Sequence, residues 1–202
     1  FKVLLLVDIV SSVGCELITL PEKCWCVVGT SGKAIEGHPG IGFVVASDDI
    51  WANLGRSNIY SLDLATHYAS QSNDSVAFTM PVQNVLSLRS ALKQLSQETV
   101  CGRQRRYELT LKELTEGMRN LGFKYVEVSG TPSSSLAQYE LPDGLYYSDL
   151  ELYLSKIGVD IYPALGMHAN IRCRISVMGP TVEGKIDFLL SSLSSFVEMA
   201  AK

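Results

Sequence analysis

The spacing of apolar positions changes character along this chain. Up to residue 47, apolar residues come in short continuous runs, broken by Gly, Pro and acids. Short β-rich runs of this kind suit strands buried on both faces of an α/β sheet, and they predict strands over 2–7, 24–28 and 42–46. Residues 11–21 read as a turn with one helical turn. Between 48 and 81 the pattern is mixed, predicting loop with a short helix over 49–54. Helical spacing then takes over. Val85, Leu86, Leu88, Leu92 and Leu95 predict a helix over 82–95. Leu109, Leu111, Leu114 and Met118 predict another over 105–121 that stops at Gly122. The remainder reads strand 123–128, strand 135–140, helix 148–157, strand 159–162, strand 170–176 and helix 181–199. Ser148 with Glu151 spells a capping box, Lys156-Ile157-Gly158 a helix stop, and Thr181 a cap. Two domains are expected, 1–100 built on an α/β sheet and 101–202 a small α+β domain.

Composition supports a folded, core-forming chain: 47% of the 202 residues are hydrophobic. The formal net charge of −4 and the lack of a basic stripe argue against a nucleic-acid partner. The local cluster Arg103, Arg105 and Arg106 reads as a solvated helix face. No apolar stretch approaches the roughly 20 residues of a membrane span. The opening run is too short for a signal peptide core. The five cysteines are odd in number, and Cys24-Trp25-Cys26 has neither redox nor zinc spacing. They read as reduced core thiols of a cytoplasmic, reducing compartment. His38, His67 and His168 are scattered, so no metal site is expected. The first residue, Phe1, falls at a predicted strand, which suggests a piece of a longer polypeptide.

The candidate chemistry lies at two strand ends. The first run ends on Asp8, and the second leads into Gly29-Thr30-Ser31-Gly32-Lys33. An amine and a carboxylate delivered to one sheet edge are what pyridoxal phosphate chemistry requires. The lysine forms a Schiff base with the cofactor, and the acid keeps its ring nitrogen protonated. Taken singly, such a lysine is more often a surface residue and such an acid a turn or cap residue.

Longer motifs change that balance. Asp8-Ile9-Val10-Ser11-Ser12-Val13-Gly14 and Lys33-Ala34-Ile35-Glu36-Gly37-His38-Pro39-Gly40-Ile41-Gly42-Phe43 resemble segments of the class V, fold-type I aminotransferases. Within that family they are most like the 2-aminoethylphosphonate–pyruvate transaminase branch. The likeness continues through Thr79-Met80-Pro81, Ile161-Tyr162-Pro163 and Arg174-Ile175-Ser176-Val177-Met178-Gly179, and so covers nearly the whole chain.

The resemblance implies the C-terminal part of a large cofactor domain with a mostly parallel sheet, followed by the small C-terminal α+β domain. It implies pyridoxal 5'-phosphate as cofactor, an amine or amino acid as donor, a 2-oxo acid such as pyruvate as acceptor, and a homodimer. Lys33 would be the Schiff-base lysine and Asp8 the partner of the pyridinium nitrogen. Arg174 would clamp the substrate carboxylate, with Arg172, on the same strand face, as its rival. Thr79 would reach the phosphate of the neighbouring subunit's cofactor, or cap the following helix. Ser11 would support the ring or Asp8, and Thr30 and Ser31 would approach the phosphate.

The chain also departs from the pattern. Gly32 stands where the family usually has Asn, Gln or His. Ala164 and Leu165 follow Tyr162-Pro163, where the phosphonate branch tends to have Gly and Lys. The family's phosphate-binding loop and ring-stacking aromatic lie upstream of the segment that matches Phe1, so that half is expected from a longer parent polypeptide or a partner chain. Alanine–glyoxylate-type chemistry, and a cofactor-free dimerisation module, remain as alternatives.

Overall fold

The computed structural model describes residues 5–21, 24–180 and 185–200, which group into two compact units, Phe1–Gln97 and Glu98–Lys202. In the first unit, β1 (Leu5–Asp8), β2 (Cys24–Thr30) and β3 (Gly42–Ala46) form one sheet in the order β1-β2-β3. The β1–β2 pair is parallel, with Asp8 opposite Val28, and the β2–β3 pair is antiparallel, with Thr30 opposite Gly42. The first part of the predicted strand, residues 2–4, lies outside the described residues. After β1 the chain folds into a tight turn, where the Ser12 and Val13 N–H groups donate to the Ile9 carbonyl and those of Cys15 and Glu16 donate to that of Ser12.

The segment expected to be mostly loop is more ordered than its pattern suggests. It holds α1 (Asp48–Asn53), a 3-10 turn at Tyr60–Leu62 and α2 (Leu64–Gln71). α2 buries none of its residues, so it shows no apolar stripe for a periodicity argument to find. Its start is held by Asp63, whose carboxylate accepts from the Thr66 hydroxyl at 2.6 Å and the Ser57 N–H at 3.2 Å. The Trp51 and Tyr68 rings stack 4.7 Å apart and join α1 to α2. α3 (Val82–Glu98) follows.

In the second unit, β4 (Lys124–Tyr125), β5 (Leu136–Glu140), β6 (Tyr162–Pro163) and β7 (Arg172–Ser176) form an antiparallel sheet ordered β4-β5-β7-β6. Three helices accompany it: α4 (Val100–Asn120), α5 (Tyr147–Lys156) and α6 (Ile186–Ala200). Alternate strand residues Ala137, Tyr139, Cys173 and Ile175 are buried, together with Tyr107, Leu114 and Met118 of α4, Leu150 and Leu154 of α5, and Leu193 and Phe196 of α6. A Cβ at Gly117 would fall 2.3 Å from a Leu190 methyl, so this glycine admits the α6 side chain close to the α4 backbone.

Two predicted strands are cut short by helix stops. Gly122, at φ 86°, and Gly158, at φ 76°, each end a helix with a pair of reverse bonds. Phe123 and Val159 donate their N–H groups back to Met118 and Leu154, so neither residue is free to enter a ladder. The expected capping box is absent: α5 begins after Tyr146, with no side-chain cap, and Ser148 lies inside the helix. The Thr181 cap falls outside the described residues.

α4 begins before the predicted boundary because Thr99 caps it, accepting from the Gly102 N–H at 3.1 Å. The arginine cluster is not a uniformly solvated face. Arg103 is 1% exposed, and both it and Arg106 donate to the Glu98 carboxylate at 2.8 Å; Arg105 alone of the three is exposed. The cysteines also divide. Cys15 and Cys173 are buried and Cys24 and Cys26 half-buried, but Cys101 is exposed on the first turn of α4 and is no core thiol. No helix of the described residues is long and apolar enough to cross a membrane.

Candidate active site

In the first unit the parallel pair brings Asp8 and the Lys33 loop to one edge. Asp8 is the last residue of β1 and exposed. One of its oxygens, Oδ1, accepts from the Val10 N–H at 2.8 Å. The adjacent strand, β2, ends at Thr30 and turns through Ser31-Gly32-Lys33. Gly14 closes the turn after Asp8, and a Cβ there would lie 3.1 Å from the Ala34 carbonyl oxygen. The turn after Asp8 therefore packs backbone to backbone against the residues that follow Lys33. At φ 98° this is also a conformation that favours glycine.

The loop carrying Lys33 is fixed from within. Ser31 is fully buried; its hydroxyl donates to the His38 carbonyl at 2.7 Å and accepts from the Ile41 N–H at 3.3 Å. Glu36 N–H donates to the Lys33 carbonyl and Gly37 N–H to that of Ser31. Ala34 and Ile35 are buried anchors. From α3, the Asn84 amide donates to the Pro39 carbonyl at 3.0 Å, and Ser87 Oγ accepts from the His38 N–H at 2.9 Å. Sequence reasoning found neither Asn84 nor Ser87, since a polar residue on a helix face carries no sign of its loop partner. Against this rigid frame Lys33 is exposed, and its amine has no hydrogen bond or ion pair among the described residues.

The remaining first-unit candidates are less well disposed. Thr30 Oγ1 donates to the Ile41 carbonyl at 3.0 Å, so its proton serves the loop, as does that of Ser31. Ser11 is exposed in the turn after Asp8. Thr79 is exposed in the segment before α3, and its side chain bonds no described residue. It does not cap α3: the first turn is closed by the N–H groups of Asn84 and Val85 on the Pro81 carbonyl.

In the second unit the rival arginines of β7 separate cleanly. Arg172 lies opposite Glu140 on β5 and donates to its Oε2 through Nε at 3.0 Å and Nη2 at 2.8 Å. Arg174 lies opposite Gln138 on β5 and Tyr162 on β6. Its Nε donates to the Pro163 carbonyl at 2.8 Å, and its terminal nitrogens have no partner among the described residues. One guanidinium is neutralised; the other is anchored and open.

No protein-family model matches the chain. In sequence it is similar to 2-aminoethylphosphonate–pyruvate transaminase of Klebsiella pneumoniae, 32% identical over 176 residues, which are 84% of this chain and 47% of that protein. It is likewise 32% identical over 174 residues to the transaminase of the same name from Salmonella schwarzengrund, covering 83% and 47%. The chain thus spans about half the length of the curated relatives it matches. In structure it is similar to alanine–glyoxylate aminotransferase of Nostoc, with a TM-score of 0.86 and 22% identity over 96% of this chain and 54% of that one. It also resembles ureidoglycine–glyoxylate aminotransferase of Bacillus subtilis, with a TM-score of 0.88 and 19% identity over 98% and 54%. The fold is therefore the α/β fold of the fold-type I aminotransferases, present over about half its usual length.

Proposed function

We propose that this relative of the class V aminotransferases supplies the lysine-bearing part of a pyridoxal-phosphate transaminase. Its first unit belongs to the cofactor domain, and its second is the small C-terminal domain. The observation that carries this reading is the pairing of an unengaged amine, Lys33, with an exposed carboxylate, Asp8, on adjoining ends of a parallel strand pair. This donor set fits the ring end of the cofactor: an amine for its carbonyl carbon and an acid for its ring nitrogen. When bound, the cofactor supplies an electron sink for the substrate α-carbon. Lys33 attaches the cofactor and then, once freed, moves the proton at that α-carbon. Asp8 keeps the ring nitrogen protonated, with Ser11 beside it.

Arg174 binds the substrate carboxylate, supported by its open terminal nitrogens and by the commitment of Arg172 to Glu140. The reaction moves an amino group from a 2-aminoethylphosphonate-like donor to a 2-oxo acid such as pyruvate. Alanine–glyoxylate-type transamination is the alternative with the same three residues. A homodimer, with Thr79 directed to the neighbouring subunit's phosphate, belongs to this proposal. One observation favours a cofactor-free module instead: the Thr30 and Ser31 hydroxyls are spent within the loop, which leaves few phosphate donors near Lys33.

Incubation with pyridoxal phosphate, borohydride reduction and peptide mass mapping decide between them. Selective labelling of Lys33, lost in Lys33→Ala and weakened at least tenfold in Asp8→Ala, is expected. Labelling spread evenly over the chain's lysines would support the cofactor-free reading.

A further inference from the structure

We infer that Gln138 and Tyr162 bind substrate together with Arg174, the three forming one carboxylate-recognition row across β5, β7 and β6. This rests on the reading of Arg174 given above and extends it to Gln138, which no motif marks, and to Tyr162, which the Ile161-Tyr162-Pro163 motif contains without giving it a role. The antiparallel register pairs Arg174 directly with Gln138 on one side and Tyr162 on the other. Residues directly opposite in an antiparallel ladder project from the same face, with Cβ atoms about 5 Å apart. That face is opposite to the one carrying buried Tyr139 and Cys173. Gln138 and Arg174 are half-buried and Tyr162 is exposed.

What distinguishes the row is that its hydrogen-bonding groups are open. The Gln138 amide, the Tyr162 hydroxyl and the Arg174 terminal nitrogens have no partner among the described residues. The neighbouring row on the same face, Glu140 with Arg172, is closed on itself by two short bonds. Polar side chains brought together by register and left unpaired around a guanidinium that is itself anchored, through Nε to the Pro163 carbonyl, form a prearranged set of donors.

The chemistry of that set selects the ligand. A carboxylate has two oxygens and about four lone-pair directions. The guanidinium fork fills two of them, and an amide N–H and a phenol O–H, one on each side, can fill the rest or take the oxo oxygen of a 2-oxo acid. With Arg172 neutralised by Glu140, the row holds one uncompensated positive charge. It therefore suits a monoanionic 2-oxo acid or α-amino acid carboxylate better than a dianionic phosphonate.

The test is calorimetric titration of the full chain with pyruvate, with methylphosphonate as the dianionic comparison, both at a pH above the second ionisation of the phosphonate. Resolved side-chain amide signals of Gln138 provide a second readout. Pyruvate is expected to shift the Gln138 amide signals and to bind more tightly than methylphosphonate. Arg174→Ala should abolish binding, while Gln138→Leu and Tyr162→Phe should each weaken it about tenfold, as for loss of a hydrogen bond to a charged group. If Arg174→Ala abolishes binding but both flanking variants stay within about twofold of the parent, a span too small for such a bond, the row is overturned and the role of Arg174 stands. If pyruvate does not bind, or binds Arg174→Ala unchanged, the row and the Arg174 assignment both fall, whatever the labelling of Lys33 shows. Tighter binding of methylphosphonate overturns the monoanion preference.

Discussion

At the scale of single residues, Gly32 explains how Lys33 is presented. It stands where the related pattern has a larger polar residue, yet a Cβ there would lie 2.9 Å from the Pro39 Cα. Pro39 is held in turn by the Asn84 amide on its carbonyl. The obstacle is backbone, so it cannot swing aside as a side-chain tip would. Gly32→Ala should cost about 1–3 kcal/mol of stability, the usual range for overpacking, and should lower labelling of Lys33 by displacing its loop. Urea unfolding combined with the labelling assay checks both effects; unchanged values in each would mean that the loop adapts freely. Lys33 and Asp8 could be proposed from sequence alone because each stands in a long, specific motif. Gln138 was illegible, and Tyr162 stood in a motif without a role, since their position beside Arg174 exists only through strand register. The motif favoured Arg174 over Arg172, and strand pairing adds what no motif shows, that Glu140 closes the rival.

At the scale of elements, the start of α4 is built around a charge knot. Glu98 accepts from Arg103, which is nearly inaccessible, and from Arg106. The Arg106 hydrogen bond above all, and then Arg103, hold the Glu98 carboxyl below the usual carboxylate range, against the opposing effect of burial. Because the folded-state value is depressed, this contribution is full above the unfolded-state value of about 4.3 and is lost as pH falls through the folded-state value. Glu98→Gln should therefore destabilise the chain at neutral pH by about 1–3 kcal/mol, less than a fully buried pair would cost because the carboxylate is partly exposed. The gap from the parent should close below about pH 4. Urea midpoints across pH test this, and a gap that stays constant down to strong acid would contradict it. The same knot shows why element boundaries were harder to read than elements. Helix stops at Gly122 and Gly158 were visible as residues, but the N–H groups they recruit from Phe123 and Val159 shorten the strands that follow. α2 was invisible because it buries nothing.

At the scale of the molecule, the two units differ sharply in how much they bury. Among the described residues, the buried apolar set of the first unit is Ile9, Cys15, Val27, Ala34, Ile35, Ile50 and Ala91, two of them alanines. Its strands and the following segments leave Leu5, Leu6, Val45, Ile59, Tyr60 and Leu62 exposed. The second unit has a continuous core running from Tyr107 through Tyr139 and Cys173 to Phe196, all nearly inaccessible. Burial there pushes the Tyr139 hydroxyl and the Cys173 thiol up to about 12, the response of ionisable groups in a dry interior. Hydrophobic stabilisation scales with apolar area removed from water, at about 25 cal/mol per Å², so on its own a unit with so few buried side chains offsets less of its chain entropy than the second unit does. A chain of residues 98–202 should accordingly unfold in a single cooperative transition, whereas residues 1–97 should not, and should expose dye-binding apolar surface. Thermal unfolding followed by near-ultraviolet circular dichroism separates the two. A cooperative transition in 1–97 would mean that its sheet is stable without further cover, and the contrast in burial would then have no energetic consequence.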